Sequence, residues 1–196
     1  MLKKIVFMGT SIFAVQILKT LYQNGYPISH VYTQPPQRSQ RGQKINKSPV
    51  QGIAETLNLE FRTPKYLKDN NEEYDYFKSI DADLAIVVAY GQIIPKEFLN
   101  LAKKGFINIH ASILPNWRGS APIQRSIMNL DKETGISMMK INENLDEGPV
   151  CNQYEATSRS SSESAERRVL AINHSAKTQC IHSAVQLSGE GRAGGG

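Results

Sequence analysis

An α/β fold with a mostly parallel sheet and helices on both faces is the class this sequence predicts. Three observations carry the prediction. Short apolar runs alternate with helix-like patterns along residues 4–110. Several of those runs are apolar at every position, which suits strands covered on both sides. Glycine, asparagine or proline punctuates the junctions between them.

The chain opens with KKIVFMG, a buried strand ending at Gly9. TSIFAVQILKTLYQNG follows, with Phe13, Ile17, Leu18 and Leu21 at helical spacing and a stop at Asn24-Gly25. PISHVYT is the second strand. SPVQGIAETLNL predicts a helix capped by Ser48 with Pro49 in its first turn, and EFRTP a short strand. NEEYDYFKSIDA predicts a helix, DLAIVVAY a fully apolar strand, PKEFLNLA a helix and GFINIH a strand. Ligands of such sheets sit beyond the carboxyl ends of the strands. GTSIF, YTQPP, AYGQI and HASILP are therefore expected on one rim.

Bulk composition narrows the class. The 196 residues, 40% hydrophobic and 21% charged, suit one globular domain with a real core. No apolar run approaches the ~20 residues that span a bilayer. MLKKIVFMGT enters a strand pattern rather than a signal peptide, so a cytoplasmic protein with no membrane partner is expected. Cys151 and Cys180 have neither disulfide nor zinc spacing and read as free thiols. Residues 1–54 carry Lys3, Lys4, Lys19, Arg38, Arg41, Lys44 and Lys47 but no Asp or Glu. Unopposed positive charge points to an anionic partner, nucleic acid first. From about Glu155 the chain turns polar and serine-rich and closes on SGEGRAGGG. A folded region over 1–154 and a poorly ordered tail over 155–196 are expected.

A strand–glycine–helix start raises the possibility of a dinucleotide site, which fails on detail. GTSIFA has one glycine where that fingerprint needs three, and VYTQ ends its strand without an acid for a ribose. The chemistry lies instead in NIHASILP and NLDEGP. Two-residue spacing puts Asn108 and His110 on one face of a strand. His can move a proton near neutral pH, an Asn amide can donate to an oxyanion, and Asp146 can orient the imidazole. No nucleophilic Ser, Cys or Lys joins the set, so direct transfer between two bound substrates fits best. On spacing alone, a surface histidine and an ordinary Asn144–Asp146 turn remain open readings.

NIHASILPNWRGSAPIQ followed by NLDEGP resembles the signature of the 10-formyltetrahydrofolate-dependent formyltransferases. IVFMGTSIFAVQILKTL, QPPQRSQRGQKINKSPVQGIA and DLAIVVAYGQIIP match the same family in order, over roughly residues 1–154. The resemblance implies a Rossmann-like formyltransferase fold, 10-formyltetrahydrofolate as formyl donor, no metal, and a monomer. It implies catalytic roles for Asn108, His110 and Asp146. It also implies a folate pocket lined by Phe13, Val88, Ala89, Tyr90, Gly91, Ser112, Ile113, Leu114 and Pro115. In the branch of the family that acts on initiator methionyl-tRNA, a basic loop approaches the acceptor arm; here it carries Arg38, Arg41, Gly42, Lys44 and Lys47. Departures are Ser11 in place of the usual proline, Ser120 in place of alanine, and no match after about Tyr154: the family continues there with a further strand-and-helix unit and a C-terminal β-barrel domain, so a truncated catalytic domain without that barrel is expected. The other readings are a formyltransferase for a small amine (a sugar nucleotide or glycinamide ribonucleotide) and a non-catalytic folate- or RNA-binding remnant.

Overall fold

A computed structural model describes residues 2–38 and 45–157. The fold is α/β and Rossmann-like, with a mixed, mostly parallel sheet accompanied by helices. The chain divides into two compact units, Met1–Phe106 and Ile107–Gly196.

The first unit is built on a parallel sheet ordered β5-β2-β1-β6, from strands β1 (Ile5–Gly9), β2 (Ile28–Tyr32), β5 (Glu60–Arg62) and β6 (Leu84–Val88). Every residue of β1 and β6 is buried, as their unbroken apolar runs require. Helices α1 (Ile12–Gln23), α2 (Pro49–Thr56) and α3 (Asn71–Ile80) connect them. Each starts where a side chain satisfies an orphan amide: Ser11 accepts from Ala14 N, Ser48 from Gln51 N, and Asn70 from Glu73 N. The buried face of α1 is Phe13, Ala14, Val15, Ile17, Leu18, Thr20 and Leu21. Phe77 organises the aromatic part of the core, stacked on Phe106 at 5.6 Å and edge-on to Phe98 at 5.7 Å. Glu73, a buried carboxylate, is held bidentately by Arg62 at 2.8 Å for both bonds.

Two features of the first unit differ from the sequence reading. PKEFLNLA forms only a 3-10 turn over Lys96–Phe98. Phe98 is drawn into the core, and the amides of Phe98, Leu99 and Leu101 bond carbonyls three residues back (Pro95, Lys96 and Phe98), so the segment runs as tight turns rather than an α-helix. A short antiparallel pair, β3 (Gln37–Arg38) with β4 (Ile45–Asn46), also forms where a loop was expected.

The second unit carries β7 (Phe106–His110, its first residue belonging to the first unit), α4 (Pro122–Met128), β8 (Glu133–Lys140) and β9 (Val150–Thr157). Both strand pairs here are antiparallel, β7 with β8 and β8 with β9. β9 passes the expected boundary: Glu155, Ala156 and Thr157 pair with Gly135, Thr134 and Glu133. The remainder of the expected tail, 158–196, lies outside the described residues. No helix among the described residues is long and apolar enough to cross a membrane.

Candidate active site

β7 positions the first two members of the expected set. Asn108 pairs with Met139 and His110 with Ser137 across the β7–β8 ladder, and His110 is 7% exposed. The third member arrives from the connection between β8 and β9. Asp146 has φ +50°, a left-handed conformation that Asp tolerates better than most residues. Its Oδ1 accepts from Asn108 Nδ2 at 3.2 Å, its Oδ2 lies 3.8 Å from His110 Nδ1, and the Gly119 amide donates to Oδ2 at 2.8 Å. One carboxylate, 10% exposed, thus gathers an amide, an imidazole and a backbone N–H.

The other ring nitrogen sets the proton arrangement. His110 Nε2 lies 2.9 Å from the carbonyl oxygen of Trp117. A carbonyl only accepts, so Nε2 carries the hydrogen and, in the neutral ring, Nδ1 presents its lone pair toward Asp146. The arrangement can take a proton at Nδ1 beside a carboxylate that stabilises the resulting cation.

The turn Ser112–Pro115 is fastened from below. Ser137 Oγ donates to Ser112 O at 2.7 Å and accepts from Leu114 N and Gln153 Nε2, both at 2.9 Å. Gln153 Nε2 also donates to Leu114 O at 2.8 Å. One hydroxyl proton and two lone pairs are then all used, so the Ser137 hydroxyl is fully engaged. Ser112 and Leu114 are buried, Ile113 is half-buried and Pro115 exposed, after a cis Leu114–Pro115 bond. A cavity of about 590 Å³ lies alongside, lined by Ser112, Ile113, Asn116, Trp117, Asp131 and Thr134 among others.

In the first unit, three of the four expected rim segments meet. Thr10 Oγ1 donates to Tyr90 O at 2.7 Å and accepts from Gln34 N at 3.3 Å, which joins the segments after β1, β2 and β6. Phe13 and Val88 are buried. Ala89 and Gly91 are exposed with φ +44° and +86°, which turns the chain sharply after β6. Tyr90 is 2% exposed, and burial pushes its phenol well above the usual tyrosine range. Of the expected basic loop, Arg38 pairs through its backbone with Ile45. The exposed Lys47 places its ammonium 2.9 Å from both Glu55 carboxylate oxygens, an acid just beyond the unopposed stretch. Arg41, Gly42 and Lys44 lie outside the described residues. No group of three His, Cys, Asp or Glu able to hold a metal occurs among the described residues.

Sequence reasoning missed Trp117, Gly119, Ser137 and Gln153. The one available signal was Trp-Arg-Gly at 117–119, a lone tryptophan beside a glycine, which suits a shaped loop. Ser137 and Gln153 carry no such mark, because their role exists only once β8 and β9 pair.

A family model described as formyl transferase matches residues 3–181. Methionyl-tRNA formyltransferase of Pelagibacter ubique (strain HTCC1062) is 73% identical over 154 residues, covering 79% of this chain and 50% of that protein. Methionyl-tRNA formyltransferase of Wolbachia sp. subsp. Drosophila simulans (strain wRi) is 49% identical over 150 residues, covering 76% and 50%. The chain spans about half the length of the curated relatives it matches. Among solved structures, phosphoribosylglycinamide formyltransferase from Bacillus halodurans superposes with a TM-score of 0.78 at 16% identity, covering 97% of each chain. At that identity the likeness is one of fold.

Proposed function

This chain belongs to the formyl transferase family, and from that premise we propose that it moves the formyl group of 10-formyltetrahydrofolate to the amino group of initiator methionyl-tRNA. The observation that carries the reading is the convergence of Asn108 and His110 on the Asp146 carboxylate, in a chain 73% identical to a methionyl-tRNA formyltransferase over 154 residues. Translation initiation in the cytoplasm is the setting that reaction implies.

In this reading the amine nitrogen attacks the formyl carbon and the carbonyl electrons move onto oxygen. An amide has two N–H groups, so Asn108 can give one to Asp146 and the other to the oxyanion. The amine's proton passes to His110 Nδ1, where the Asp146 carboxylate stabilises the imidazolium. Nδ1–H then supports the oxyanion beside Asn108. When the C–N10 bond breaks, the proton goes to N10, leaving tetrahydrofolate and the N-formylated aminoacyl-tRNA. Orientation and electrostatics supply the acceleration, with no covalent enzyme intermediate. Phe13 and Val88–Gly91 in the first unit, and Ser112–Pro115 in the second, are the residues we assign to the folate. Arg38, Arg41, Gly42, Lys44 and Lys47 are those we assign to tRNA phosphate.

The test is formyl transfer from 10-formyltetrahydrofolate to charged initiator tRNA, against free methionine and small amines as acceptors. Transfer to the charged tRNA alone is expected, with His110→Ala and Asp146→Ala each lowering it by about 10²–10⁴-fold. Transfer to a small amine in preference to the tRNA would sink the proposed acceptor, and full activity in both variants would sink the proposed machinery.

A further inference from the structure

His110 is held by a carbonyl whose own residue needs holding. Trp117 has φ +58°, in the left-handed region that a bulky side chain occupies only when its surroundings impose it. Its indole supplies the fastening. Trp117 Nε1 donates to Asp131 Oδ2 at 2.6 Å, a short bond to a carboxylate. Asp131 is itself fixed just beyond α4, where its amide bonds Ser126 O at 3.0 Å and its Oδ1 accepts from Asn129 Nδ2 at 2.6 Å. A continuous path therefore runs from Asp131 through the indole and carbonyl of Trp117 to His110 Nε2, and across the ring to Asp146.

We infer that Asp131 is a positioning residue for formyl transfer: through the Trp117 indole it keeps the Trp117 carbonyl on His110 Nε2–H, which leaves Nδ1 as the nitrogen that takes the amine's proton beside Asp146. The catalytic part of this inference rests on the formyl-transfer reading; the control of the His110 tautomer does not. If the indole is released, the strained Trp117 backbone relaxes, its carbonyl leaves Nε2, and the hydrogen is free to move to Nδ1. A ring protonated at Nδ1 alone points a donor at Asp146 and has no base there to offer the amine.

The experiment is NMR of the full chain carrying 15N-labelled histidine, with the His110 signals assigned by their loss in His110→Gln. The variants are Asp131→Ala, Asp131→Asn and Trp117→Phe, each checked for a cooperative thermal transition. The expected result is a single Nε2–H tautomer in the parent protein and a mixture of tautomers in Asp131→Ala and Trp117→Phe. Asp131→Asn, whose amide oxygen still accepts from the indole, should stay close to the parent. In the transfer assay Asp131→Ala should lower kcat on the order of 10- to 100-fold and change KM for the formyl donor far less, because Asp131 is not among the residues assigned to the folate and the main loss is in proton handling. A single Nε2–H tautomer retained in folded Asp131→Ala would overturn the inference; if that variant does not fold, the same result in Trp117→Phe would do so. Tautomer mixing as expected, in a chain whose parent form transfers formyl to no acceptor, would uphold the positioning role and reject the formyl-transfer reading.

Discussion

His30 on β2 couples the stability of the first unit to pH. Its Nδ1 is buried with no hydrogen-bond partner among the described residues, and its Nε2 lies 3.4 Å from Glu60 Oε2. Burial, the largest influence, holds the imidazole below its ordinary pKa; Lys4 and Arg62 push the same way, while Glu60 opposes them. The unfolded chain therefore takes a proton on His30 at a higher pH than the folded one does. This contribution to stability is fully present above about pH 6.5 and is lost as pH falls from there through the lowered folded value. Urea unfolding followed from about pH 7.5 down to 5 should show stability falling, and His30→Gln should flatten that dependence. An unchanged slope in His30→Gln would assign the effect to another group. At the same scale, two of the site's residues are legible by type alone. The spacing of Asn108 and His110 puts them on one strand face, whereas Asp146 meets them from the β8–β9 connection, a meeting that only the fold brings about.

Strand β8 carries the second unit. It pairs on one side with β7 and on the other with β9, and its Ser137 holds the turn at Ser112 and Leu114. Gly135 sits where a β-carbon would run into the carbonyl oxygen of Tyr154 on β9 and the Ile113 side chain. Gly135→Ala must push β9 and the turn apart together. We expect a loss of about 1–3 kcal/mol from overpacking, read as a lower midpoint in urea with little change in slope. A variant as stable as the parent would mean that β9 shifts without resistance. The elements also mark where pattern reading stops. α1 follows from apolar spacing and α2 from its Ser48 cap, and NEEYDYFKSIDA reads as the helix that forms α3, whereas α4 escaped notice because Ser126 is its one fully buried residue and gives no apolar stripe. PKEFLNLA reads as helical but bonds three residues back, with Phe98 drawn into the core, so that packing decides its tight turns where its pattern suggests a helix.

The whole chain carries a formal net charge of +5, with its first 54 residues free of acids. If the proposed acceptor is right, that charge acts on tRNA phosphates and not on the uncharged parts of the folate. Arg41→Ala should weaken use of methionyl-tRNA by about 1 kcal/mol or more, while folate binding changes little, because a phosphate contact carries none of the pterin recognition. Raising the salt should weaken tRNA use in the parent protein more steeply than in the variant, since each cation that neutralises a phosphate releases counterions. Equal losses of tRNA and folate binding in Arg41→Ala would point to damaged folding and remove the loop from the acceptor site.

The sequence by itself determined the strand–helix alternation of the first unit and the Ser48 cap of α2, and it pointed to Asn108, His110 and Asp146 as a candidate set. These follow from local spacing, side-chain capping and a motif that resembles a known family. Tertiary structure alone decided the antiparallel pairing of β7, β8 and β9 and the clamp of Ser137 and Gln153 on the turn. It also decided the route from Asp131 through Trp117 to His110. Each of those contacts joins residues separated by a turn, a helix or a strand. Which groups meet there depends on register and loop closure, and a one-residue change in pairing would exchange every partner.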